Sequence, residues 1–208
     1  MKQYYDARAP EYDDWYLGQG LFERRERPEW EEAVRALEGA LARLPAARTL
    51  DVACGTGFLT RHLPGEITAF DQSERMLEVA GERVPEATLV QGDALELPFE
   101  DSSFERVFTG HFYGHLEQDD RLAFLAEARR VATELVVVDS AARPDHEREE
   151  WQTRVLNDGS SFSVFKRYFD ASQLADELGG GRVLHQSPWF VMVASSREPG
   201  KARSHRES

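Results

Sequence analysis

Apolar residues recur along this chain with two alternating periods. From Pro28, "PEWEEAVRALEGALARLP" sets Trp30, Val34, Leu37, Leu41 and Leu44 on one stripe with proline and acids in its first turn, and predicts an amphipathic helix. Strand-like and helix-like runs then take turns. "RTLDVAC", "EITAFDQ", "ATLVQGD", "FERVFTGH" and "ELVVVDSA" read as strands, and "FLTRHLP", "SERMLEVAGERV" and "DDRLAFLAEARRVA" as the helices between them. This alternation predicts an α/β protein whose parallel sheet is covered on both faces. Residues 142–168 interrupt it. The acidic run from Asp145 to Trp151 reads as a solvated helix face, and "VLNDGSSFSVFKRYFD" as a hairpin turning at Asn157, Asp158 and Gly159. "DASQLADELGG" predicts a further helix, and "GRVLHQSP" with "WFVMVASS" a closing pair of strands. Before Pro28 the aromatics follow no period, so short helices and turns are expected there. One domain over residues 1–197 is expected, with a mobile polar tail over 198–208.

Charge narrows the partners. A formal net charge of -13 repels phosphate backbones and anionic membrane surfaces, so neither nucleic acid nor a membrane is expected as partner. A single cysteine, Cys54, forms no internal disulfide and reads as a small buried residue. With no signal-like apolar stretch at the N-terminus, it points to the cytoplasm.

The chemistry concentrates at predicted strand ends, where ligands of open parallel sheets bind. "LDVACGTG" ends the first strand, and Gly55 and Gly57 there allow a ligand to approach the backbone. Asp71 ends the second strand, placed for the two hydroxyls of a ribose. Asp93 ends the third, placed with the backbone of Ala94 for an adenine edge. Each aspartate reads alternatively as a helix N-cap, and Met76 as either adenine platform or core. A dinucleotide fingerprint wants a third glycine where this chain has Thr60, and Asp51 is unhelpful beside a pyrophosphate but natural beside an ammonium. The loop suits a zwitterion better than a phosphate.

At these residues the chain resembles the class I S-adenosylmethionine (SAM)-dependent methyltransferases, and most of all the small-molecule branch that includes ubiquinone and menaquinone biosynthesis enzymes. The resemblance runs from about Tyr4 to Arg197, through "LDVACGTG", "AFDQSERML", "GDALELPFEDSSFERVFTGH" and "FLAEARRV" in order. It implies a Rossmann-like three-layer sandwich with a seven-stranded, mostly parallel sheet in order 3-2-1-4-5-7-6, strand seven antiparallel. It implies SAM as methyl donor, with Asp51, Ala53, Gly55, Thr56 and Gly57 around the methionine part. Asp71 and Gln72 would then face the ribose, and Asp93, Ala94 and Leu95 the adenine, with Met76 on its face. Thr109 and Gly110 approach the amino group in that scheme, and Tyr12 closes over the cofactor from an N-terminal lid at residues 1–27. Relatives commonly carry a Pro-Gly-Gly turn before the fifth strand, where this chain has "RRVATELVVVD". The departure lies at the far end of the sheet and marks a divergent subfamily.

The expected reaction is in-line methyl transfer to a small molecule, with acceptor and methyl held collinear. His111 and His115 in "HFYGHLEQDD" are the candidates to position the acceptor or take its proton. Gly114 intervenes and the segment leaves a strand, so no metal site is expected. Tyr113 is a candidate acceptor contact or a packing aromatic, and His115 alternatively caps the next helix. The hairpin in 142–168 is a candidate cap whose Lys166, Arg167 and Tyr168 suit an anionic acceptor, or else a solvated edge. The competing readings are a nicotinamide-dependent oxidoreductase and a non-catalytic SAM-binding regulator. A protein acceptor is disfavoured by the lack of a docking module.

Overall fold

The structure is a computed structural model that describes residues 2–144 and 146–196. The chain runs α1 (Lys2–Arg8), α2 (Asp14–Leu17), α3 (Trp30–Ala42), β1 (Ala47–Val52), β2 (Gly65–Asp71), α4 (Glu74–Arg83), β3 (Thr88–Gln91) and β4 (Phe104–Gly110). It continues with α5 (Gln118–Val131), β5 (Ala132–Ser140), β6 (Glu149–Val155), β7 (Ser161–Arg167), α6 (Ala171–Glu177), β8 (Arg182–Gln186) and β9 (Phe190–Ser196). Seven strands form one sheet in the order β3-β2-β1-β4-β5-β9-β8. Counted within that sheet this is 3-2-1-4-5-7-6, with β9 antiparallel to both neighbours, as the resemblance implies.

Both faces of the sheet are buried, which is why its central strands read as continuous apolar runs. Along β5 and β9 successive side chains go to opposite layers. Leu135, Val137, Val191 and Val193 pack under α5 and α6, while Val136, Val138, Phe190 and Met192 pack under α3. The stripe read from Pro28 is the buried face of α3, with Trp30, Val34, Leu37 and Leu41 inside and Leu44 partly covered. α5 runs straight into β5 at Ala132, so the turn that relatives carry there is reduced to nothing.

Two expected elements differ. "FLTRHLP" forms only a single 3-10 turn, Thr60–His62. Between Gly57 at positive φ and Pro64 there are too few residues to nucleate an α-helix, and α3 already covers Phe58, Leu59 and Leu63. Within the acidic run, Glu149–Trp151 belong to strand β6 rather than to a helix. The hairpin register explains it. Glu149 lies opposite Arg167 and Glu150 opposite Lys166, so cross-strand charge pairing and the turn at 157–159 outweigh the helical reading. The start of that run, Asp145, and the polar tail over 198–208 lie outside the described residues. Among the described residues no helix is long and apolar enough to cross a membrane.

Candidate active site

The C-terminal tips of β1 to β4 converge on a crevice of about 210 Å³. Ala53 and Gly55 enter it at positive φ, 58° and 57°. The loop is fastened by Asp71, whose two oxygens accept from the backbone N–H of Gly55 and of Ser73, each at 2.9 Å. Burial pushes the Asp71 carboxyl up and these N–H bonds oppose it. The cap of α4 is not Asp71 but Ser73, whose Oγ accepts from Met76 N–H at 3.2 Å. Asp71 thus remains on the crevice wall with Gln72, Asp93, Ala94 and Leu95. Asp93 is exposed, and one of its oxygens accepts from Leu95 N–H at 2.9 Å.

Asp51 lies deeper. It is 1% exposed, and its Oδ2 accepts from the Thr60 hydroxyl at 2.6 Å. Its Oδ1 is buried with no hydrogen-bond partner among the described residues. Burial, with the Asp71 charge adding to it, raises this carboxyl to about 8. A buried acceptor left open costs stability, so the site is incomplete without a donor. Asp51 faces a small space shared with Tyr12, Ala53 and Gly110, three residues that also line the crevice.

Besides Asp51, four residues expected at the cofactor do not line the crevice. Thr56 bonds Asp13 at 2.6 Å and receives Arg83 at 2.9 Å. Thr109 donates to Val52 C=O at 2.8 Å beneath the sheet tip. Met76 is fully buried in the core. Gly57 serves packing rather than ligand approach, since a Cβ there would sit 2.9 Å from Val84 Cγ2 at a φ of 73°. Gly57→Ala is therefore expected to destabilise the fold by about 1–3 kcal/mol, checked by urea unfolding with the native m-value. Tyr5 and Phe112 line the crevice without having stood out in the sequence, Tyr5 because nothing in the aperiodic aromatic segment before Pro28 says which rings turn inward.

A second cavity, about 230 Å³, adjoins the first, and Tyr12 and His111 line both. His111 sits at positive φ (57°), which few non-glycine residues adopt, and Trp15 meets its ring edge-on at 4.9 Å. Neither ring nitrogen has a hydrogen-bond partner among the described residues. Burial, opposed by Asp139 and aided by Lys166, brings its pKa down to about 4. His115 lines the second cavity, with Nδ1 2.6 Å from Phe165 C=O, so that nitrogen carries the proton. Its pKa too is driven down, by burial and then by Lys166 and Arg154. Both imidazoles are neutral at pH 7, and weak bases.

Of the candidate acceptor contacts, Tyr168 and Lys166 line this cavity, though Lys166 is also paired with the buried Asp139 at 2.5 Å. Arg167 and Tyr113 line neither cavity. Arg167 pairs with Glu149 at 3.1 Å and Glu177 at 2.8 Å, and the Tyr113 hydroxyl donates to Glu177 at 2.8 Å from a fully buried ring. The strand alternation that turns Lys166 inward turns Arg167 away. Arg8, Arg25, Arg27, Arg143 and Arg154 also line the second cavity and were not read from the sequence, since they come from segments far apart in the chain.

Residues 49–134 match the family model described as "Methyltransferase domain". These residues carry a methyltransferase domain, and the strand order of the sheet agrees with it. The demethylmenaquinone methyltransferase of Staphylococcus aureus (strain JH9) is 45% identical over 93 residues, 40% of this chain and 38% of that protein. The match thus spans well under half the length of the curated relatives. Among solved structures, the chain is similar to DhpI in its complex with SAM and HEP, at 27% identity and a TM-score of 0.73, covering 92% of this chain and 94% of that one. The complex of DhpI with SAH gives 28% identity and a TM-score of 0.70, with 95% of each chain covered. The residues present fit a ligand with an ammonium and hydroxyl donors: Asp51 has an unmet buried carboxylate oxygen, and Asp71 and Asp93 put carboxylates on the crevice wall.

Proposed function

We propose that the protein is a cytoplasmic enzyme that transfers the methyl group of SAM to a small-molecule acceptor. The observation that carries this reading is the meeting of two open cavities at Tyr12 and His111, with the unmet Asp51 oxygen in a small space beside the crevice that shares Tyr12, Ala53 and Gly110 with it. SAM supplies a methyl group on an already electrophilic sulfonium, so the protein's task is to position and to exclude water. Asp51 takes the ammonium, Asp71 with Gln72 the ribose, and Asp93 with Ala94 and Leu95 the adenine. Tyr12 screens the junction. Residues 1–27 and 142–168 cover the acceptor side. His111 and His115, both neutral, orient the acceptor rather than deprotonate it. An open acceptor cavity favours turnover over a purely regulatory SAM binder, whose chain would fill that space.

Isothermal titration of SAM, S-adenosylhomocysteine and NAD(P) tests the reading. The two adenosyl ligands are expected to bind and the dinucleotides not. Asp71→Ala is expected to weaken SAM about ten- to a hundredfold, from the loss of charge-assisted hydrogen bonds. Nicotinamide binding without SAM binding overturns the proposal, and an unchanged constant in Asp71→Ala removes that residue from the site.

A further inference from the structure

The second cavity has a charge that the rest of the molecule does not prepare for. In a chain of net charge -13, Arg8 at the end of α1, Arg25 and Arg27 before α3, and Arg154 on β6 all reach it. Among the described residues none of these four is paired with a carboxylate. Arg8 donates to the Tyr4 hydroxyl and lies over the Tyr12 ring at 4.9 Å. Arg27 donates to Trp15 C=O at 2.7 Å and covers the Trp30 ring at 4.0 Å. Arg25 lies over Phe22, and Arg154 donates to Gln152 Oε1 at 2.5 Å. Elsewhere the buried arginines are matched, as Arg106 is with Glu134 at 2.6 Å and Arg167 with Glu177.

The acids nearby do not compensate. Glu26 lines the cavity but is exposed and makes no ion pair there. Asp139 is engaged by Lys166, and Glu150 accepts from Gln152. Burial and then Arg154 lower Arg25, and burial with Arg25 brings Arg27 down to about 10, so these cations repel one another. Four guanidinium groups from separate segments with no carboxylate partner, Arg8 buried, Arg27 and Arg154 half-buried and Arg25 at the exposed rim, gather around one cavity and give it a positive field that suits an anion. The four arginines lie outside residues 49–134, the part that matches the family model.

We propose that this cavity binds a small oxyanion, a carboxylate or phosphoryl compound, and that one of the anion's own oxygens is the atom methylated. This rests on the methyl-transfer reading above. A lone pair of the acceptor oxygen forms the new O–C bond. The S–C bond breaks, and its electron pair remains on sulfur as a neutral thioether. No proton moves, so no general base is needed, which accounts for two neutral, weakly basic histidines at the site. The acceptor loses one negative charge in the step, so the cationic wall holds the ester less tightly than the anion and favours its release. A cavity of about 230 Å³ lies below the ~300–1,000 Å³ typical of larger ligands, which fits a compact acceptor.

Calorimetry on the full chain saturated with S-adenosylhomocysteine tests this, with phenyl phosphate, benzoate, inorganic phosphate and neutral phenol as probes. The phosphates or benzoate are expected to bind, more weakly as salt is raised, and phenol about tenfold or more less tightly. Phenyl phosphate binding above benzoate marks a phosphoryl acceptor, and the reverse a carboxylate. Arg25→Met and Arg154→Met, at positions that are not fully buried, are each expected to weaken the anion about tenfold while S-adenosylhomocysteine affinity stays within about twofold. Phenol binding as well as the anions, or anion affinity indifferent to both substitutions, overturns the anion assignment and leaves the cofactor reading intact. Failure of S-adenosylhomocysteine itself to bind overturns the reading beneath it, and with it the claim that a bound anion is a methyl acceptor.

Discussion

Asp51→Asn is expected to weaken SAM binding by about a hundredfold and to remove the acidic limb of its pH dependence. The buried Oδ1 of Asp51 has no partner, and the proposed ammonium is the one group that would satisfy it with charge as well as geometry. Removing one member of a buried charge pair costs roughly 2–5 kcal/mol. The pH profile follows from two groups with nearly equal proton affinity. In the free protein Asp51 titrates at about 8, and an α-amino group near ~8. Below that pH Asp51 is protonated and must release a proton to receive an ammonium, so affinity falls by up to about tenfold per unit. Above it the amino group of the ligand loses its charge, and affinity falls again. Wild type is expected to show a maximum near pH 8, and Asp51→Asn to lose the acidic limb.

Linkage fixes the stability effect as well. Because the folded-state pKa of Asp51 lies above the unfolded value, the folded state holds the extra proton between about pH 4 and 8, and the unliganded wild type loses stability as pH rises across that window. The asparagine variant is expected to lack this group's share of the decline. Titration calorimetry from pH 6 to 10, with thermal unfolding alongside, checks both.

The second large effect is on the fold. Lys166→Met is expected to cost about 3–5 kcal/mol, or roughly 10 °C in melting temperature for a chain of this size. Asp139 is 0% exposed, accepts from Gly114 N–H at 2.7 Å, and is paired with Lys166 at 2.5 Å. Burial would raise its carboxyl, but Lys166 and then His111 hold it below its usual range. Burial also lowers Lys166, and Asp139 resists that shift. Without the ammonium the carboxylate is stranded, and its pKa rises. The deficit is then expected to shrink as pH falls, because protonation relieves it. Asp139→Asn combined with Lys166→Met is expected to recover much of the loss, since each single change leaves the other group unpaired and the double change does not. Thermal unfolding at pH 6 and 8 measures all three. A Lys166→Met protein with wild-type stability contradicts a buried pair tying the hairpin to β5.

Where the position of a candidate residue rests on one strand and the residue after it, the sequence was readable. Asp51, Asp71 and Asp93 each end or follow a strand whose apolar run is plain, and strand ends are where such sheets bind ligands. The hairpin was readable too, because an Asn-Asp-Gly turn fixes its register. Where function depends on packing between distant elements, sequence signals fell short. Gly57 and Gly55 look alike in "ACGTG", yet only Gly55 borders the crevice, because α4 crowds Gly57 through Val84. Met76 and Tyr113 had the chemistry for ligand contact, and tertiary packing turned both into the core. "FLTRHLP" carried helical periodicity but lacked room before Pro64. The arginines of the second cavity were least accessible of all. Arg8, Arg25 and Arg27 lie in an aperiodic segment and Arg154 on a strand read only as a cap, so nothing local marks that they meet.

A crystal structure with S-adenosylhomocysteine puts the whole arrangement to a direct test. It is expected to show the amino group on Asp51, the ribose on Asp71, the adenine beside Asp93 and Ala94, and the sulfur turned toward the arginine-lined cavity between Tyr12 and His111. A ligand bound elsewhere, or one whose sulfur faces away from that cavity, contradicts it.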